Sequence, residues 1–289
     1  SRVLPPLSIA MIKASRSINL CLATLRRMAP RLADATPLDL HRVDEELERR
    51  FPRAPAARAA VSVALYDLLS KRDKMPLWRH QGMKPQTAVP TSFTIGIDSL
   101  EMVRRKVEEA AAWPILKVKL GVPNDMEIIR EVRRLCPRKR LRVDANGGWT
   151  VEEAIAKARK LERLGVEILE QPVPPGDPAA LRRVQQSTAI PVFADESACG
   201  PADVPTLEGC VKGINIKLAK CGGIFQAFLM ADLARFFRMD VMLGCMVESS
   251  VLITAAAHIA SLADYLDLDG ALLLARDPFE GARFGAQAR

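Results

Sequence analysis

Two regimes of hydrophobic patterning divide the chain. Up to about residue 88 the apolar residues recur three and four apart in "INLCLATLRRMAPRLA", "LDLHRVDEELERRF" and "AARAAVSVALYDLLSKR", which predicts a layer of helices, and the turn-rich "QGMKPQTAVP" closes it. From Thr91 onward the pattern changes to short apolar strands alternating with segments of helical spacing. Strands are predicted at 91–97, 115–120, 140–145, 167–171, 191–196, 213–219, 240–245 and 264–269. Eight strands separated by helical segments predict an α/β fold: a modified TIM-type (β/α)8 barrel over 91–270 with a helical N-terminal capping domain over 1–90. Residues 271–289 are expected to return to the cap. A doubly wound open sheet is the alternative arrangement of the same elements.

Several polar residues break this pattern, and they do so at regular intervals. In "ILKVKLG" the side chains of Lys117 and Lys119 fall on one face of a strand that otherwise reads as core. An edge strand protected against aggregation would carry lysines in the same way. The rest of the chain decides between the two, because Lys119, Asp144, Glu170, Asp195 and Lys220 follow one another at separations of 25, 26, 25 and 25 residues, each at or just past the end of a predicted strand. One level of successive strands is the simplest source of such spacing, and in a barrel that level is the C-terminal rim, where active sites are built.

Three carboxylates converging there repel one another unless they are protonated or bound to a hard cation. A single one would read as a helix cap or an ion-pair partner. Three oxygen donors with no neighbouring His or Cys favour Mg²⁺, with Mn²⁺ also suitable, over zinc. Lys119 and Lys220 would then stand on opposite sides of the metal. That suits 1,1-proton transfer: one lysine removes a proton beside a carboxylate, the other returns one to the opposite face, and the metal stabilises the enediolate between them. Lys117 is expected to favour the neutral amine of Lys119 by like-charge repulsion.

Composition narrows the setting. The 289 residues are 49% hydrophobic with a net charge of +8, and the basic stretch "RRLCPRKRLR" carries no interleaved recognition motif in a chain with only 5% aromatic residues. A nucleic-acid partner is therefore not expected. "KCGGI" lacks the spacing of a nucleotide-binding glycine loop. Cys21, Cys136, Cys199, Cys210, Cys221 and Cys245 form no C-x-x-C pair and read as reduced packing residues. No run of 18 apolar residues occurs, and "SRVLPPLSIA" lacks the layout of a secretory signal, so a cytoplasmic protein with no membrane partner is expected.

Five motifs in order, "LKVKLG", "RVDANGGWT", "EILEQPV", "ADES" and "NIKLAKCGGI", resemble the enolase superfamily in its muconate-lactonizing subgroup, most closely its dipeptide epimerases. The resemblance runs from about residue 40 to residue 280. It implies Lys119 and Lys220 as the acid/base pair and Asp144, Glu170 and Asp195 as the metal ligands. It also implies a small-molecule dipeptide substrate, epimerised at the α-carbon of its C-terminal residue, in cell-wall peptide metabolism or dipeptide catabolism. Asp267 and Asp269 in "YLDLDG" alternate onto one face of the last predicted strand. Two carboxylates so placed can hold an ammonium group, and the resemblance assigns them the substrate's α-ammonium; an exposed turn is the plainer reading of "DLDG".

By the same resemblance Thr94 and Lys117 lie near the substrate, Cys245 and Met246 in "GCMVES" line its side-chain pocket, and Asn146, Glu196, Asn215 and Lys217 support the primary groups. His41, His80 and His258 fall off the rim and receive no role. A homo-oligomer is expected. A lyase or cycloisomerase of the same superfamily, of the o-succinylbenzoate synthase or muconate cycloisomerase type, would share the metal and both lysines. A non-catalytic binding protein with a degenerate lid is the reading of another class. Relatives carry an N-terminal β-rich segment whose loop closes over the barrel. "SRVLPPLSIAMIKAS" is expected to be too short to supply it, leaving the cap incomplete.

Overall fold

The structure is a computed structural model that describes residues 19–30, 32, 40–85, 90–282 and 284. The helical start is present as α1 (19–30), α2 (Leu40–Arg50), α3 (Pro55–Arg72) and the single turn α4 (Leu77–His80). A small cluster of Met28, Leu47, Ala57 and Val61 packs α1, α2 and α3 together. Leu40, Val63, Tyr66 and Leu77 instead belong to the large core shared with the barrel, so the cap is fused to it through apolar contact.

The strand-helix alternation gives β1 (Phe93–Ile95), α5 (Leu100–Glu109), β2 (Ile115–Lys119), α6 (Asp125–Leu135), β3 (Arg140–Asp144), α7 (Val151–Arg163), β4 (Val166–Glu170), α8 (Pro178–Gln186) and β5 (Val192–Ala194). A 3₁₀ segment (Pro201–Leu207) leads to β6 (Gly213–Lys217), the single-turn helix α9 (Leu218–Cys221), α10 (Ile224–Phe236), β7 (Asp240–Gly244), α11 (Ser250–His258) and β8 (Tyr265–Asp267). The eight strands pair in parallel in chain order. Closure comes from the first strand meeting the last: the Ser92 amide donates to Leu266 O at 3.3 Å, and the Leu268 amide to Thr91 Oγ1 at 2.7 Å. The arrangement is a barrel and not an open sheet. Among the described residues no helix is long and apolar enough to cross a membrane.

Several strands are shorter than their apolar runs predict, and for β5 and β8 the reason is the same. Past β5 the amides of Asp195 and Ser197 donate to Oε1 of Gln171 at 2.9 and 3.2 Å, so a side chain replaces the neighbouring strand as acceptor. Past β8 the Thr91 hydroxyl does the same for Leu268, and the chain turns into a 3₁₀ segment (Gly270–Leu273). Inside the barrel Phe193 packs with Ile168 and Met242, and Gly213 makes room for its ring: a Cβ there would lie 2.3 Å from Phe193 Cε1.

The glycine pair of "KCGGI" also has a packing role. Gly222 and Gly223 adopt φ +100° and +130°, and a Cβ would approach the Arg58 guanidinium to 2.8 Å and Ser62 Cβ to 2.4 Å. Helix α3 therefore presses directly on the turn that carries Lys220, and Ser62 Oγ accepts the amide of Ile224 at 3.2 Å.

Candidate active site

Register builds the centre of the site. Lys119 pairs across the ladder with Asp144, and Asp144 with Glu170, so these three share one level. Glu170 is opposite Phe193, which leaves Asp195 to join from just past the end of β5. One ligand oxygen from each of Asp144, Glu170 and Asp195 lies within 4.8 Å of the others, and all three residues are buried.

Four lysines surround this triad. Lys117 Nζ reaches Asp144 Oδ2 at 3.1 Å, Glu170 Oε2 at 2.8 Å and Asp267 Oδ2 at 2.7 Å. Lys119 Nζ lies 2.6 Å from Asp144 Oδ2 and 3.0 Å from Asn146 Oδ1. Lys217 Nζ donates to Asp195 Oδ2 at 2.6 Å. Lys220 Nζ donates to Asp195 Oδ1 at 2.6 Å and to the backbone oxygens of Asp195 and Asn215 at 2.5 and 2.8 Å. The Lys119 side chain remains 27% exposed at the mouth and that of Lys220 8%.

These contacts divide the carboxyls. Burial works to raise Asp144, but Lys117 and Lys119 overcome it and hold the group at about 2. Asp195 is likewise held well below the usual carboxylate range, with burial outweighed by Lys220, Lys217 and Lys117. Burial pushes Glu170 up to about 7, the charge of Asp144 adding to the rise and Lys117 opposing it. Lysines alone thus leave the third carboxyl short of positive charge. A dication held by the same three oxygens would supply it, and the all-oxygen donor set fits Mg²⁺.

The structure revises four expectations. Lys117, read as a substrate contact, is buried with its ammonium group taken by three carboxylates, and those contacts raise its pKa well above the ordinary lysine value despite burial; its place is that of an internal counter-ion. Lys220 stands in α9, three residues past β6, and Lys217 occupies the strand end. Asp269 lies beyond β8, at the start of the 3₁₀ segment, so the two aspartates do not alternate along one strand. Their roles also separate. Asp267 accepts from Ser92 Oγ at 2.6 Å and from Lys117, and is held low despite burial. Asp269 accepts the Thr94 amide at 2.6 Å and is raised to about 6 by burial and by the charge of Asp267. Of the pair, Asp269 stands to gain more from a cation.

The remaining predicted residues gather at the same rim. Asn146, at φ +44°, donates to Glu196 Oε1 at 3.0 Å while accepting from Lys119. Asn215 donates to Glu170 Oε1 at 2.8 Å. Cys245 is buried, its Sγ 3.1 Å from Asp267 O, whereas Met246 is exposed. Ser92 and Gln171 escaped the sequence reading. Their neighbours in the chain give no signal, because their partners lie on adjacent strands distant in sequence or just past them. His41 stacks edge-on with Phe225, His80 pairs with Asp73, and His258 ends α11, all away from the triad.

Residues 100–274 match the family described as enolase C-terminal domain-like. The chain belongs to the enolase superfamily. Within that superfamily it is 42% identical over 250 residues to the L-Ala-D/L-amino acid epimerase of Maribacter sp., covering 86% of this chain and 72% of that protein. It is 40% identical over 247 residues to the L-Ala-D/L-Glu epimerase of Bacteroides thetaiotaomicron, covering 85% and 64%. The chain thus spans roughly two-thirds of the length of these relatives. The crystal structure of the dipeptide epimerase from Enterococcus faecalis V583, complexed with Mg and the dipeptide L-Leu-L-Tyr, superposes with a TM-score of 0.86 at 31% identity, covering 93% of this chain and 78% of that one.

Proposed function

We propose that this enolase-superfamily chain is a dipeptide epimerase that interconverts L,L and L,D dipeptides, with Lys119 and Lys220 exchanging the α-proton of the C-terminal residue. The observation that carries the reading is the position of the two lysines. One sits on Asp144 at one end of the carboxylate triad and the other on Asp195 at the opposite end, each 2.6 Å away. Asp144, Glu170 and Asp195 would hold Mg²⁺, whose charge makes a proton beside a carboxylate easier to remove and stabilises the resulting enediolate.

The chain's own groups do the rest. One lysine, as the neutral amine, takes the α-proton and becomes ammonium. The other, as ammonium, delivers a proton to the opposite face and is left neutral, so the two have exchanged protonation states after each inversion. Lys117 keeps the floor of the site charged and closed, and Asn146 fixes the direction of Lys119. Of the two aspartates, Asp269, raised by burial and by the charge of Asp267, would gain more from the substrate's α-ammonium.

Proton NMR in D₂O with MgCl₂ tests the reading, using L,L-dipeptides with acidic, apolar and basic second residues. Loss of one α-proton signal together with growth of the L,D epimer is the expected result. Mg²⁺ binding without exchange in any dipeptide would reject the epimerase reading and leave the lyase and cycloisomerase chemistries of the superfamily.

A further inference from the structure

Four ammonium groups touch the triad, and three of them also have a partner outside its carboxylates. Lys117 donates to Asp267, Lys119 to Asn146, and Lys220 to two backbone oxygens. Lys217 differs. Among the described residues its partners are Asp195 Oδ2 at 2.6 Å and Glu170 Oε1 at 4.0 Å, both carboxylates of the triad. A dication bound there would compete for those same acceptors. The Lys217 side chain is 5% exposed, so a displaced ammonium group has no route to water and needs a new acceptor inside the protein.

Two side-chain oxygens, Asn215 Oδ1 on β6 and Glu248 Oε2 just past β7, are buried and carry no hydrogen bond. Asn215 is fully buried and stands two residues before Lys217 on β6, so both side chains point to the same side. Glu248 stands four residues past Gly244, the β7 residue that pairs with Lys217 across the ladder. Gly244 leaves room for the Asn215 amide: a Cβ there would lie 2.4 Å from Asn215 Oδ1.

We propose that occupation of the triad by a divalent cation turns Lys217 away from Asp195 and onto Glu248 Oε2 and Asn215 Oδ1, making Glu248 a positioning residue for metal loading. This rests on the reading of the triad as a metal site. Glu248 touches neither the metal nor the reacting atoms; its part is to receive the charge that the metal displaces.

Calorimetric titration with MgCl₂ tests it on the wild type, Glu248→Gln, Lys217→Met and the double variant. Glu248→Gln keeps the shape but removes the charge, so Mg²⁺ affinity falls about tenfold, the worth of one hydrogen bond between charged groups. The melting temperature of metal-free Glu248→Gln stays at the wild-type value or rises, which separates positioning from a general structural defect. In the Lys217→Met background, where nothing needs receiving, Glu248→Gln has no further effect on Mg²⁺ binding. Wild-type affinity in Glu248→Gln, or an equal loss in both backgrounds, overturns the proposal. A wild type that does not bind Mg²⁺ fails earlier, at the metal site itself.

Discussion

Lys117 offers the sharpest test of how the site is held together. Its ammonium group lies 2.7–3.1 Å from carboxylate oxygens of Asp267, Glu170 and Asp144, in a position 3% exposed. At an effective dielectric constant of about 20, each contact is worth about 6 kcal/mol of attraction. Desolvation of the ammonium group offsets most of this, and removing one partner of a buried ion pair costs about 3–5 kcal/mol net. Lys117→Met keeps the bulk of the stem and removes only the charge. Glu170, already near 7 with Lys117 in place, would then take a proton at neutral pH, which limits the loss. The metal-free variant is expected to melt about 10 °C below wild type. Mg²⁺ replaces the missing charge without an ammonium competitor, so its stabilising effect is larger in the variant than in the wild type. Thermal melts in EDTA and in MgCl₂ measure both. Equal melting temperatures without metal, or an equal shift on adding Mg²⁺, would refute the counter-ion role of Lys117.

Other changes probe separate parts of the argument. Lys119→Ala is expected to lose epimerisation by about 10²–10⁴-fold yet still exchange the α-proton of the one epimer that faces Lys220, with Lys220→Ala showing the complementary pattern; the same residual exchange in both variants contradicts the two-base assignment. Asp269→Asn should raise KM for a dipeptide about tenfold and leave the weaker binding of its N-acetyl analogue unchanged, and equal losses would remove the ammonium role. Gly223→Ala sets a Cβ 2.4 Å from that of Ser62 at a φ of +130°, so a loss of about 2–4 kcal/mol is expected, read from chemical unfolding, with a fall in kcat as the Lys220 turn shifts. Asp44, buried and raised to about 7 from 3.8, contributes stability that is fully present below its unfolded pKa and is lost as pH rises through 7. Asp44→Asn should match wild type at about pH 4 and exceed it by at most about 4 kcal/mol at about pH 8; a gap that does not widen with pH would be inconsistent with this.

The barrel was legible because strand length and the spacing of rim residues are local properties. Lys119, Asp144 and Glu170 end their strands in mutual register, as an equal-level reading requires. Asp195 and Lys220 share that spacing for a different reason: both lie past their strands, and the turns that follow bring them together at 2.6 Å. The D-x-D motif shows where period-two reasoning ends. Once the Thr91 hydroxyl takes the amide of Leu268, the chain leaves the ladder, and Asp269 is set by a turn rather than by a pleat. Ser92, Gln171 and the free oxygen of Glu248 were invisible because their roles depend on contacts that no neighbouring residue announces. Arg142 belongs with them: it sits in the basic stretch "RRLCPRKRLR", yet it is 2% exposed, donating to Leu266 O at 2.8 Å and facing the Tyr265 ring at 5.3 Å.

Charge explains why these parts belong to one device. Around Lys117, Lys119, Lys217 and Lys220 at the mouth, six carboxyls are shifted from the ordinary range: Asp144, Glu170, Asp195, Asp267, Asp269 and Glu248. Three of the six are held at or below the ordinary range by lysine contacts, namely Asp144, Asp195 and Asp267. The three pushed up, Glu170, Asp269 and Glu248 at about 7, 6 and 7, are the ones that would gain most from additional positive charge. Each has a distinct candidate: the divalent cation for Glu170, the substrate's ammonium group for Asp269, and the displaced Lys217 for Glu248. Loading the metal would therefore satisfy two of them together, and substrate the third. Metal binding should accordingly release protons on the acidic side of neutrality, where Glu170 and Glu248 are partly protonated, and binding of an N-acetylated dipeptide should release none from Asp269.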